Sequence, residues 1–185
     1  MLWLDIETTG LSPERDQILE IGVVLTDDQL VERARRAWII PFTGEVSSFI
    51  HQMHGPIKEG GSGLLDECRA AAQRSGAPGH TRIAEELYAW TKDGLGPDDE
   101  KPPLGGSSVH FDRAFVAASP FKHLLGLVAY RNFDVSTIKE AVKRWAPWAT
   151  YDRPPGPGPA HRALPDLDDT LAEAAHYRAR LFANR

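Results

Sequence analysis

Cysteine is nearly missing from this chain: Cys68 is the only one among 185 residues. An internal disulfide is therefore excluded, and so is a zinc site built on several thiolates. Long apolar runs are missing too, since no stretch approaches the ~20 residues that a membrane-spanning helix needs. The opening residues, Met1 to Asp5, contain no basic group and reach a carboxylate by the fifth position, unlike a secretory or transit leader. A basic surplus is also lacking, because 21 Lys and Arg face 26 Asp and Glu for a formal charge of -5. That balance argues against a protein that grips long duplexes through phosphate neutralisation. These absences leave an expectation of a soluble protein in a reducing, cytoplasmic compartment, with no membrane association.

With 42% hydrophobic and 25% charged residues, residues 1–185 are expected to form a single globular domain. Leu2 to Ile6, Leu19 to Thr26 and Arg33 to Ile40 read as strands separated by turn residues, an opening antiparallel meander. Helices are expected over Gly63 to Arg74 and over Thr81 to Lys92, the second behind a Thr81 cap. A loop from Asp93 to Pro103 leads to a short buried strand, Leu104 to Val109. A helix from Asp112 to Ala118, a strand at Asn132 to Val135 and a helix from Thr137 to Trp145 follow. Arg153 to Ala160 is a Gly-Pro loop, and the last helix accepts Pro165 only in its first turn, which puts His161 just outside it. Strands first, then alternating helices and strands, predict an α/β fold with a mixed sheet flanked by helices.

Asp5 and Glu7 stand two apart in an apolar strand and so project from one face, opposite Leu2, Leu4 and Ile6. Two carboxylates this close either share a proton, bind a cation, or rest on a partly exposed edge strand at little cost. Asp112 reads equally as a helix N-cap and Asp166 as a first-turn acid favoured by the helix dipole. Hard divalent cations take oxygen ligands, and two of them can hold the attacking and leaving oxygens of a phosphodiester. A histidine near neutrality can take the proton of the attacking water. If the four carboxylates bound two such cations, most of the chain's negative charge would be neutralised.

Three blocks carry a more specific signal: Trp3-Leu-Asp5-Ile-Glu7-Thr-Thr-Gly10-Leu11, Gly106-Ser-Ser-Val-His-Phe-Asp112-Arg, and His161-Arg-Ala-Leu-Pro-Asp166. In order and spacing they resemble the three motifs of the DEDDh 3'-5' exonucleases. Leu11 to Ile21 and Tyr130 to Glu140 are further similar to segments of the oligoribonuclease family, as is the run from Asp169 to Arg178. The resemblance spans nearly the whole chain and implies a ribonuclease H-like fold. It also implies an enzyme that removes mononucleotides from short single-stranded RNA.

Carried onto matching positions, the resemblance gives Asp5, Glu7, Asp112 and Asp166 as ligands of two Mg2+ or Mn2+ ions and His161 as general base. It gives Leu11 as an apolar wedge, Ser108 and Ser136 as a cap on the terminal phosphate, and Tyr130 and Arg131 as residues supplied by the second subunit of a homodimer. The family's tryptophan wedge is absent, and Phe49 is the candidate replacement. His54, followed by Gly55, is more similar to proofreading exonucleases, and reads equally as a substrate contact or a surface-loop residue. Two alternatives therefore stand: a DNA-directed or proofreading-type exonuclease, and a non-catalytic module that only binds nucleic-acid ends. The Gly-Pro loop is expected to let His161 swing in when substrate and metals are present, so that Gly156→Ala and Gly158→Ala slow turnover more than binding.

Overall fold

The computed structural model describes residues 1–97, 100–154 and 160–182. The Gly-Pro loop with Gly156 and Gly158 falls outside them. Three strands open the chain, β1 (Leu2–Thr8), β2 (Ile18–Thr26) and β3 (Glu32–Ile39), and pair antiparallel as a meander. Two short strands, β4 (Leu104–Gly106) and β5 (Asn132–Asp134), join parallel to β1, so the sheet order is β3-β2-β1-β4-β5. The helices are α1 (Ser48–His54), α2 (Leu64–Gln73), α3 (His80–Leu95), α4 (His110–Ala118), α5 (Val135–Trp145) and α6 (Ala163–Leu181). Single 3-10 turns or short runs occupy Ile57–Glu59, Pro120–Leu127 and Pro147–Ala149.

The alternation in β1 and β2 divides the interior into two layers. Leu2, Leu4 and Ile6 pack with Ile83 and Leu87 of α3 and with Phe115 and Val116 of α4. Trp3 and Val24 face the other way, against Val135 and Val142 of α5 and Leu167, Ala174 and Tyr177 of α6. Because β2 is buried along its whole length, it reads as a near-continuous apolar run in which Glu20 is the exception. Two glycines permit close approaches that a side chain would block. A Cβ on Gly105 would fall 2.7 Å from the Trp3 ring, and one on Gly22 would fall 2.7 Å from the Ala163 Cβ at the start of α6.

Several expected boundaries change. α1 replaces an expected loop: Ser47 caps it by accepting a hydrogen bond from the Ile50 backbone N–H at 3.3 Å. The strand expected to reach Val109 ends at Gly106, because the chain turns through Ser108 in a left-handed conformation (φ 53) into α4. That helix begins at His110, so Asp112 is inside its first turn rather than capping it. α3 starts from Gly79 without a side-chain cap, which places Thr81 within the helix. Pro165 does sit in the first turn of α6, with His161 outside. Among the described residues, no helix is long and apolar enough to cross a membrane.

Candidate active site

The site lies where β1 meets the start of α6. Asp5 and Glu7 point to the α6 face of the sheet, and the first turn of α6 brings Asp166 to them. One carboxylate oxygen from each of the three lies within 4.8 Å of the others. Asp112 reaches the same region from α4. β4 pairs with β1 only at Leu2 and Trp3, so the Ile6 backbone N–H has no strand partner on that side and donates instead to Asp112 Oδ1 at 3.0 Å.

Burial is the first cause of the high proton affinity of these acids. It raises Asp5 far above the usual carboxylate range, with Asp112, Glu7 and Asp166 adding repulsion. Glu7 is lifted to about 8 by burial and then by Asp166 and Glu20. Asp112 is lifted to about 7, again by burial, against the opposing effect of backbone N–H donors. Burial raises Asp166 as well, while His161 beside it acts in the opposite sense. Among the described residues, no lysine or arginine pairs with these four acids; the partner of Glu7 is His54, with Nε2 3.4 Å from Oε2. A crowded set of oxygen donors without a cationic side chain fits divalent metal ions, which supply the missing positive charge.

His161 sits half-buried at the mouth of α6 in a left-handed backbone conformation (φ 47), which costs a non-glycine residue ~1 kcal/mol or more. Its ring meets that of His54 edge-on, with centroids 6.2 Å apart. His54 closes α1 and is only 1% exposed, so it belongs to the floor of the site and not to a surface loop. Burial, then the positive potential of His161 and Arg162, pulls His54 down to about 4, and it stays neutral above that pH.

The remaining candidates separate into two groups. Ser108 and Ser136 come together: Asp134, the cap of α5, accepts from both backbone N–H groups at 3.0 and 2.9 Å, and the two hydroxyls lie 3.3 Å apart. Leu11 and Phe49 remain 79% and 61% exposed. Tyr130 and Arg131 are not brought to the carboxylates. Asn132 is level with Leu104, which is level with Leu2, so both residues lie beyond the far end of β1, ~13–23 Å along the sheet from Asp5 and Glu7 at ~3.3 Å per residue. Arg131 instead stacks on the exposed Tyr130 ring at 4.5 Å. Sequence reasoning missed Asp134, although an Asp two residues before a Ser at a helix start is a capping signal. Arg35, Arg36, Lys143 and Arg144 pair with Glu32, Glu86 and Glu140, so they form no free phosphate track.

Likeness to known proteins gives the class of this chain, an exonuclease. A family model for exonucleases matches residues 2–59. Among solved structures, exonuclease I from Methylocaldum szegediense matches with a TM-score of 0.69 at 16% identity over 97% of this chain. The zinc-bound complex of E. coli exonuclease I with single-stranded DNA gives 0.67 at 15%. The chain spans 40% of the length of each, and this likeness concerns the fold, a mixed sheet of the ribonuclease H-like type flanked by helices. Oligoribonuclease from Azoarcus sp. (strain BH72) is 37% identical over 96% of this chain and 92% of its own length. That from Dichelobacter nodosus (strain VCS1703A) is 32% identical over 100% and 96%, and that from Streptomyces griseus 33% over 98% and 86%. The chain belongs to the oligoribonuclease family.

Proposed function

We propose that this chain is a metal-dependent 3'-5' exonuclease that degrades short single-stranded RNA to mononucleotides, down to the dinucleotide. The observation that carries this reading is the set of carboxylates at Asp5, Glu7 and Asp166, whose oxygens lie within 4.8 Å of one another, with buried Asp112 beside them and no lysine or arginine paired to them among the described residues, in a chain of this family. Asp5, Glu7, Asp112 and Asp166 would hold two Mg2+ or Mn2+ ions. When bound, such ions stabilise the charge on the attacking and leaving oxygens of the phosphodiester.

The chain's own groups complete the reaction. A ring nitrogen of His161 takes a proton from the attacking water as the water oxygen forms its bond to phosphorus. The bond from phosphorus to the 3'-oxygen of the penultimate nucleotide breaks and that oxygen takes up a proton from solvent, releasing a nucleoside 5'-monophosphate and a shortened strand with a free 3'-hydroxyl. Ser108 and Ser136, fixed by Asp134, receive the terminal phosphate, while the exposed faces of Leu11 and Phe49 separate or stack the bases. A second copy would supply Tyr130 and Arg131, since neither reaches the carboxylates of its own chain. The pairing of Arg35, Arg36, Lys143 and Arg144 with glutamates favours short substrates over long ones. A reducing, cytoplasmic setting suits the single buried thiol, which burial pushes up to about 12 and makes inert.

The test is cleavage of 5'-labelled RNA and DNA of graded length in Mn2+, with and without chelator, beside Asp112→Ala. Chelator-sensitive trimming of the shortest RNAs is expected, absent in Asp112→Ala. A preference for DNA would favour the DNA-directed alternative. Chelator-resistant cleavage, or no cleavage of either polymer, would overturn the reading.

A further inference from the structure

The hydrolytic scheme makes no use of one acid on the same face of the sheet. β2 sets Glu20 level with Glu7 and Gly22 level with Asp5. Glu20 is 3% exposed, yet it is not one of the three acids that cluster, because its oxygens are already committed. Oε2 accepts from Arg162 Nε at 3.0 Å and from the Ala163 backbone N–H at 3.0 Å, and Oε1 accepts from Arg162 Nη2 at 3.1 Å. The far edge of the same guanidinium is held by Glu67 of α2, with both contacts at 2.9 Å. Gly22 adds the room that lets the start of α6 rest on β2.

The location of this clamp matters more than its contribution to stability. A buried ion pair gives little net stabilisation, because desolvation offsets the attraction. A two-carboxylate clamp on one arginine is better explained by what it fixes. The Asp166 backbone N–H donates to the Arg162 carbonyl at 3.0 Å, but α6 is also held to the sheet by Leu167, Ala174 and Tyr177, so Asp166 has packing support besides Glu20. His161 lacks that support. It precedes the helix, carries a left-handed φ, and is followed directly by Arg162 and Ala163, the two residues Glu20 binds.

We infer that Glu20 is a positioning residue for His161: it pins the Arg162–Ala163 corner so that the imidazole leaves the chain toward the carboxylates, and Glu67 steadies the guanidinium from outside. This rests on His161 being the base of the proposed reaction. It assigns a role to the buried Glu20 carboxylate that neither metal ligation nor substrate contact provides.

A kinetic cycle tests it, with wild type, Glu20→Gln, His161→Ala and the double variant assayed on a 5'-labelled RNA dinucleotide in saturating Mn2+. Glu20→Gln is expected to lower kcat about 10- to 100-fold, the usual loss when a group that orients an active-site ligand is removed. KM should stay within about twofold, and in the His161→Ala background the same change should alter the residual rate by less than about threefold. Glu67→Gln, which leaves the bonds of Glu20 to Nε and Ala163 intact, should cost less than Glu20→Gln. An equal loss in both backgrounds would overturn the inference while leaving the His161 assignment standing. A His161→Ala enzyme with the wild-type rate would overturn that assignment and this inference with it. If Glu20→Gln does not melt as a folded protein, Arg162→Lys serves in the same cycle with the same expected non-additivity, because an ammonium cannot bridge two carboxylates as a guanidinium does.

Discussion

Replacing Glu7 with glutamine should make the metal-free protein more stable, and the gain should depend on pH. Glu7 is raised from 4.5 to about 8 on folding, so between those values the folded chain holds a proton that the unfolded chain has lost. Stability then falls as pH rises through that window. Linkage puts the cost of Glu7 at about 4 kcal/mol at pH 8 and under ~1 kcal/mol at pH 5. His54, the nearest ring, is held at about 4 in the folded chain, so its titration near 6.5 in the unfolded chain adds an opposite pH dependence that wild type and variant share and that cancels in their difference. In the glutamine variant the cost disappears, so its melting temperature should exceed that of wild type by roughly 7–14 °C more at pH 8 than at pH 5, at ~2–4 °C per kcal/mol for a chain of this size. Thermal melts in chelator at the two pH values read this directly. Millimolar Mn2+ should reverse the ranking at pH 8, because the cation stabilises the wild-type carboxylates and a neutral amide in place of the Glu7 carboxylate is a poorer ligand. A difference between variant and wild-type melting temperatures in chelator that does not grow from pH 5 to 8 would refute the electrostatic argument.

Four further outcomes are expected. His161→Ala should lower kcat by about 100- to 10,000-fold with Mn2+ binding retained, as expected for loss of a proton acceptor and measured by single-turnover cleavage with metal titration. Asp134→Ala should free Ser108 and Ser136 and raise KM for 5'-phosphorylated dinucleotides by about tenfold while kcat changes less. Gly22→Ala would drive a methyl into Ala163 and should cost ~1–3 kcal/mol in a denaturant titration, with activity reduced alongside. Mixing inactive Asp112→Ala with inactive Arg131→Ala should restore activity if the second copy supplies Arg131; a mixture as inactive as its parts, or a monomeric mass in solution, would remove Tyr130 and Arg131 from the site.

The parts of the fold that were legible in the sequence are those where one face is apolar over a long stretch. β1 to β3 alternate or run apolar between clear turn residues, and α6 shows a proline that only a first turn accepts. A fixed period therefore put Asp5 and Glu7 on one face of a strand and Asp166 in the first turn of a helix. α1 was hidden because Ser48–His54 is short and its Phe49 remains exposed, so no apolar stripe marks it. The position of His54 was hidden for the same reason. Asp112 was legible as an acid near a helix start, but its bond to the Ile6 N–H depends on β4 ending early, a tertiary fact. The Glu20 clamp was the least visible, since it joins three elements with no local spacing between them.

Glu20 and Ala163 are 143 positions apart, and the three clustered acids, Asp5, Glu7 and Asp166, come likewise from the first strand and the last helix. Until α6 has emerged and packed, a growing chain holds Asp5 and Glu7 without Asp166 or His161. The proposed site is therefore the last part of the molecule to be assembled, complete only when the closing helix docks.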